Sequence, residues 1–222
     1  MTPVFLLHVP DGFLSVPVAG VFWALTALAL GVSLRRAGAT LDERAVPLMG
    51  VMAAFIFAAQ MFNFPIPGGT SGHLLGGVLV AILLGPWAGT VVMACVIAVQ
   101  ALVFQDGGLV ALGANIFNMG IIGTMGGFAL YRSITGLLGG EERGRFPAAA
   151  VAAWVSVEAA AVLTAFQLAA SDTTSLGVAL TAMAGWHALI GIGEAVITVA
   201  TLAFIRTSRR DLLSLRTGEA SA

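Results

Sequence analysis

The sequence predicts an all-α, polytopic membrane protein: about seven transmembrane helices in one domain over residues 1–222, with the N-terminus outside and the C-terminus cytoplasmic. Three observations carry that reading. Of the 222 residues, 59% are hydrophobic and 9% are charged, with a mean hydropathy of +0.99, a composition that soluble domains do not have. Apolar runs of about 20 residues, the length a helix needs to cross a bilayer, recur from one end to the other. All ten basic residues are arginines, and they gather in three short stretches.

The predicted spans lie at about 16–34, 46–62, 73–85, 87–104, 109–131, 147–170 and 180–205. Residues 1–15 precede them as an extracytoplasmic segment. With no basic n-region and no small-residue cleavage site, this segment does not read as a signal peptide. In the first span Gly20 and Ala24, and then Ala27 and Gly31, place small residues at helical spacing, where a neighbouring helix can approach closely. Arg35, Arg36 and Arg44 follow it. After the second span the stretch Asn63 to Gly77, N-F-P-I-P-G-G-T-S-G-H-L-L-G-G, breaks the apolar pattern. Proline lacks the amide donor, and glycine carries the largest backbone entropy cost, so no helix continues through it. Irregular backbone at a membrane boundary is tolerated where it lines a cavity, so this loop is expected to dip into the membrane beside a short third span and to form the wall of a site.

Gly85-Pro86 separates the third span from the fourth, where Cys95 is expected to act as a small buried hydrophobe. The fifth span carries Asn115 and Asn118 and is followed by Arg132, Arg143 and Arg145. The sixth carries Glu158 and the seventh His187 and Glu194. Arg206, Arg209, Arg210 and Arg216 fall in the tail, 207–222. With seven spans the three arginine groups share one side, cytoplasmic by the positive-inside bias. His8, His73 and the outer part of the last span, with His187, then share the other.

Several function classes are excluded. The chain has no lysine, so it holds no phosphate-binding loop and cannot hydrolyse ATP by that route. A net charge of −1 lacks the basic footprint of a nucleic-acid partner. One cysteine excludes a disulfide within the chain.

Four motifs, H-V-P-D-G-F-L-S (8–15), P-I-P-G-G-T-S-G-H-L-L-G-G (65–77), G-A-N-I-F-N-M-G (113–120) and W-H-A-L-I-G-I-G-E-A (186–195), together resemble the CbiM/NikM family. These are the cobalt and nickel substrate-binding S components of energy-coupling-factor (ECF) transporters, a kind of ABC transporter. The resemblance implies a multi-pass subunit of a bacterial or archaeal cytoplasmic membrane that captures Co(II) or Ni(II) for uptake, serving cobalamin biosynthesis or nickel enzymes. It implies no enzymatic step and no cofactor. The implied partners are a transmembrane coupling (T) protein, which docks on a small-residue helix face, two ATPase subunits, and a small accessory membrane protein, since the chain ends soon after its last span. It also implies a ligand set: a terminal amine, the amide nitrogen and imidazole of a histidine at the second position, and a second histidine from the glycine-rich loop. Such a set favours the square-planar field that Ni(II) accepts.

Carried onto this sequence, the metal ligands are His8 and His73. Residues 1–7 stand before His8, so the amine joins the set only if Leu7 is the true initiator, read as methionine, or if the segment is trimmed. The nitrogen donors do not choose between cobalt and nickel; the P-D-G-F-L-S form resembles the nickel side. His187, Glu194 and Glu158 are expected to form a buried polar network with a structural role, because a carboxylate in a membrane needs a partner. Asn115 and Asn118 either orient the histidines and tie down the N-terminal segment or join helices. Two alternatives remain. Gly69-Thr70-Ser71-Gly72 fits the G-x-S-G pattern of rhomboid-type intramembrane proteases, with Ser71 as nucleophile and His187 as base. A stand-alone secondary metal carrier is the other.

Overall fold

The computed structural model describes residues 8–40, 45–67 and 70–214. The fold is mostly helical. In chain order it comprises α1 (Val16–Thr40), α2 (Ala45–Gln60), strands β1 (Asn63–Pro65) and β2 (Ser71–His73), α3 (Gly77–Leu84), α4 (Pro86–Phe104), and α5 (Leu112–Asn115). A π-helical segment (Ile116–Gly126) then runs on into α6 (Gly127–Leu137), followed by α7 (Glu141–Ala170), α8 (Leu176–Ser208) and the short α9 (Asp211–Ser214). Among the described residues four helices are long and apolar enough to cross a membrane, α1, α4, α7 and α8, and α2 is a shorter apolar helix.

Two predicted spans take a different form. The third, expected over 73–85, is a helix of only eight residues preceded by a strand. Eight residues rise about 12 Å, less than half a bilayer core. Its bounds come from glycine: Gly76 opens the helix at φ 79° and Gly85 closes it at φ 83°, both in the left-handed region that side chains avoid. A Cβ on Gly76 would stand 2.1 Å from the Ile56 side chain, so this position excludes other residues on both counts. Pro86 then starts α4 in the first-turn position where its missing amide costs nothing. All eight residues of α3 are buried. The fifth span, expected at 109–131, runs instead as one rod from Leu112 to Leu137 through the π-helical segment. That segment packs backbone against backbone on α3, where a Cβ at Gly77 would lie 2.8 Å from the Gly123 carbonyl carbon.

The re-entrant stretch is a β-hairpin. Asn63 pairs with His73, Phe64 with Gly72 and Pro65 with Ser71, antiparallel. Pairing satisfies backbone groups that a bare loop would leave exposed to lipid. Gln60 at the end of α2 donates to the Leu75 carbonyl (2.8 Å), tying the hairpin's exit to that helix.

The bundle has two chemically distinct ends. At one, Arg36 lies 5.9 Å from the Trp87 ring centre and Arg206 lies 5.5 Å from that of Phe146. There too Glu141 pairs with Arg132 (3.5 Å) and Arg145 (3.3 Å). At the other end Trp23 donates to the Val110 carbonyl (3.0 Å), Thr173 to the Phe13 carbonyl, and the histidines gather. The outward faces of α1 and α8 are apolar, as a lipid solvent allows: Leu28, Leu34, Leu189 and Val196 are all exposed. For the same reason Cys95 is exposed rather than buried; in a membrane protein an apolar run says nothing about which side faces the core.

Candidate metal site

The structure brings together His8, which precedes α1, and His73, which follows α2, with ring centres 4.9 Å apart and ring planes at 89°. Both are almost fully buried, 3% and 6% exposed. Their hydrogen bonds define what the rings present. His73 Nδ1 faces the Leu74 carbonyl (2.8 Å) and His8 Nδ1 faces the Asp106 carbonyl (3.3 Å). A carbonyl only accepts, so Nδ1 carries the proton in each ring and Nε2 keeps its lone pair. For His8, Nε2 is buried with no hydrogen-bond partner among the described residues.

Burial, and next the neighbouring His73, hold His8 down to about 3, its bond to the Asp106 carbonyl opposing. The His8 ring is therefore neutral at physiological pH, the form that ligates metal.

His8 is positioned by a clasp. Val9 exchanges both backbone bonds with the Asn115 side chain, its amide donating to Oδ1 (3.2 Å) and its carbonyl accepting from Nδ2 (3.1 Å). The Gly108 amide donates to the Val9 carbonyl (3.0 Å). The Asp11 carboxylate accepts from the amides of Leu109 (3.0 Å), Val110 (2.7 Å) and Ala111 (3.3 Å), just before α5. Negative charge is well placed at such free helix-start amides. The segment lies so close that a Cβ on Gly108 would stand 2.1 Å from Asp11 Oδ1. Asn115 thus ties the N-terminal segment down. Asn118 joins helices instead, donating to Thr164 (3.0 Å) and Gln167 (2.8 Å) while accepting from Gln167 (2.8 Å). Asp11, Asp106 and the Gly107-Gly108 pair were legible in the sequence only as turn formers.

A cavity of about 40 Å³ opens beside the two rings, lined also by Ser71, Asn115, Asn118, Met119, Met183 and His187. That is room for one dehydrated ion with a ligand or two. His187 Nδ1 faces the Met183 carbonyl (2.7 Å), so its Nε2 also keeps a lone pair. Among the described residues no three His, Cys, Asp or Glu side chains come close enough to hold a metal by themselves. The N-terminal amine, the other expected donor, lies outside the described residues.

The network expected among His187, Glu194 and Glu158 does not form. Seven residues along a helix is about 10.5 Å, beyond side-chain contact. Glu194 instead accepts from the amides of Leu75 (2.9 Å) and Gly76 (2.6 Å), where α3 begins. Glu158 Oε1 has no hydrogen-bond partner among the described residues. Glu194 therefore fixes the backbone next to His73, a role sequence spacing could not reveal.

The comparisons agree with this architecture. The family model described as "Cobalt uptake substrate-specific transmembrane region" (CbiM) matches residues 8–212. A putative fused nickel transport protein, NikMN, of Archaeoglobus fulgidus is 42% identical over 93% of this chain and 68% of its own length. A putative metal transport protein of Haloquadratum walsbyi is 42% identical over 93% of both. The cobalt transport protein CbiM of Sorangium cellulosum is 32% identical over 93% of this chain and 94% of its own. A crystal structure of a transition metal transporter superposes with a TM-score of 0.88 at 33% identity, covering 97% of this chain and all of that one. The four-motif resemblance is thus borne out: the chain belongs to the CbiM family of cobalt and nickel transport membrane proteins.

Proposed function

We propose that this chain is the substrate-binding S component of an ECF-type ABC transporter in a bacterial or archaeal cytoplasmic membrane, capturing Co(II) or Ni(II) from outside. The observation that carries the reading is the convergence of two buried imidazoles from residues 65 apart in sequence, with ring centres 4.9 Å apart beside one cavity. The arginine-bearing end faces the cytoplasm and the histidine-bearing end the exterior, with the chain crossing in long helices and with β2 and α3 as a partial seventh pass. Without a phosphate-binding loop, the work of uptake falls to two ATPase subunits acting through a coupling protein, with a small accessory membrane protein assisting loading or release. Where Leu7 or trimming leaves an amine next to His8, that amine completes the donor set. No step of chemistry on the ion is involved.

The test is calorimetric titration of the purified chain with Ni(II) and Co(II), then uptake in liposomes. His8→Ala and His73→Ala should each abolish tight binding, and Ser71→Ala should leave it intact. Uptake should require the coupling protein, both ATPases and ATP. Uptake by the chain alone would instead establish a secondary carrier, and proteolysis lost on Ser71→Ala would establish the peptidase.

A further inference from the structure

One face of α8 brings a thioether and an imidazole to the same cavity. Met183 and His187 stand one turn apart, so their side chains lie one above the other on the same side of the helix, and both are buried, 2% and 5% exposed. The Met183 carbonyl accepts from His187 Nδ1 (2.7 Å), which leaves a lone pair on Nε2. The Met183 sulfur lies 3.9 Å from the Thr70 hydroxyl, against the residue that leads into β2 and His73. A second buried thioether, Met119, comes from the π-helical segment. Both sulfurs' residues line the cavity of about 40 Å³ together with His73 and His187.

Among the described residues that lining holds no carboxylate and no thiol. Asp106 stands behind His8, and Glu194 is taken up by the Leu75 and Gly76 amides. No three His, Cys, Asp or Glu side chains of the described residues close round one point, so a side-chain donor set here is completed by sulfur. Thioether sulfur is polarizable and soft. With imidazole it suits Cu(I), an ion whose filled d shell asks for no square plane. A single positive charge is also less costly to bury than a double one where no anionic donor lines the wall.

From this arrangement we infer that the cavity is also a soft-cation site, in which His73, His187 and Met183, with Met119 beside them, take a monovalent filled-shell ion, Cu(I) or Ag(I). The inference deepens the capture reading above by adding a second class of cation at the same cavity. It needs neither the N-terminal amine nor a particular nitrogen of His8. Each of its donors is neutral with a lone pair in place, so the ion enters without displacing a proton. Closing a chelate on Ni(II) through an amide nitrogen releases one.

The experiment uses the full chain in detergent and chloride-free buffer, carrying Cys95→Ser because the exposed thiol would itself take a soft ion. Calorimetry with silver nitrate and with Ni(II), repeated in buffers of different ionisation enthalpy, reads affinity and proton release. X-ray absorption of the anaerobically prepared Cu(I) form reads the neighbouring atoms, and thermal melting reports folding. Ag(I) is expected to bind without proton release, and Cu(I) to show sulfur as well as nitrogen neighbours. Met183→Leu nearly conserves volume and should melt normally. It should weaken the sulfur signal and cut the preference for Ag(I) over Ni(II) by about tenfold or more, at least what losing an outer partner costs. The Met119→Leu, Met183→Leu double variant should abolish the sulfur signal, and His73→Gln should lose both ions. The inference is overturned if Cu(I) shows nitrogen neighbours alone, or if the double variant leaves the Ag(I)-to-Ni(II) affinity ratio unchanged. A chain that binds Ag(I) but neither Ni(II) nor Co(II) overturns the dication reading and keeps the soft site; one that binds Ni(II) but not Ag(I) does the reverse.

Discussion

The clasp that carries His8 should be separable from the histidines themselves. Asp11→Ala removes the acceptor for three amides ahead of α5 at an exposed site, a loss comparable to deleting a helix cap, about 1–2 kcal/mol. Asn115→Ala removes two buried bonds to Val9 and strands its amide, while the carbonyl keeps the Gly108 amide, about 2–4 kcal/mol. At about 1.4 kcal/mol per tenfold, the first change alone should raise amide exchange at Val9 and Gly108 by about tenfold. Ni(II) affinity should barely move, because the segment still spends most of its time docked. The double variant, at about 3–6 kcal/mol in all, should shift undocking by 10²- to 10⁴-fold and release His8 from the cavity, with a loss of Ni(II) affinity to match. Hydrogen exchange and calorimetry on the same samples test both halves. A double variant that keeps wild-type affinity with its segment amides fully exchanging would refute the idea that docking presents His8 to the ion.

The buried His8 imidazole also predicts a pH dependence. Folded His8 is held down to about 3, against 6.5 when exposed. Below pH 6.5 the unfolded chain binds more protons than the folded one. Stability should therefore be full above pH 6.5 and fall toward about pH 4, by up to about 1.4 kcal/mol per pH unit for this ring. Melting temperatures of metal-free protein should show that slope, and His8→Gln should flatten it. Glu194→Gln weakens the carboxylate's bonds to the Leu75 and Gly76 amides and should cost about 1–3 kcal/mol, seen as a lower melting temperature with weaker Ni(II) binding. Gly76→Ala forces a side chain into a left-handed φ against Ile56 and should cost at least about 1–3 kcal/mol in denaturation, with His73 displaced.

How far the sequence reveals this molecule depends on whether a signal is local. The helical, apolar character of the chain and the gathering of arginines at one end were readable because hydropathy and arginine placement are properties of short windows; the number of spans was not. The two histidines were readable through their motifs, although nothing within either motif says how far apart their rings lie. The hairpin was hidden because P-I-P-G-G reads as a break whatever pairs across it. The short α3 was hidden because hydropathy cannot distinguish a run that crosses lipid from one enclosed by protein; Val78 to Leu83 is apolar for the second reason. Cys95 was misplaced by the same ambiguity, in reverse. The partners of Glu194 and Asp11 lie 118 to 119 and 98 to 100 residues away, and no periodicity within one helix points to them.

The wholly enclosed α3 has a consequence for how cargo leaves. It begins four residues after His73 and descends about 12 Å with no exposed face. An ion moving straight down from the imidazoles would meet a dry stopper of valine, leucine and isoleucine, where an unsolvated dication has no partner. In the capture reading proposed above, the ion therefore has no wet path past α3, and its release calls for the histidine-bearing end itself to open toward the other compartment.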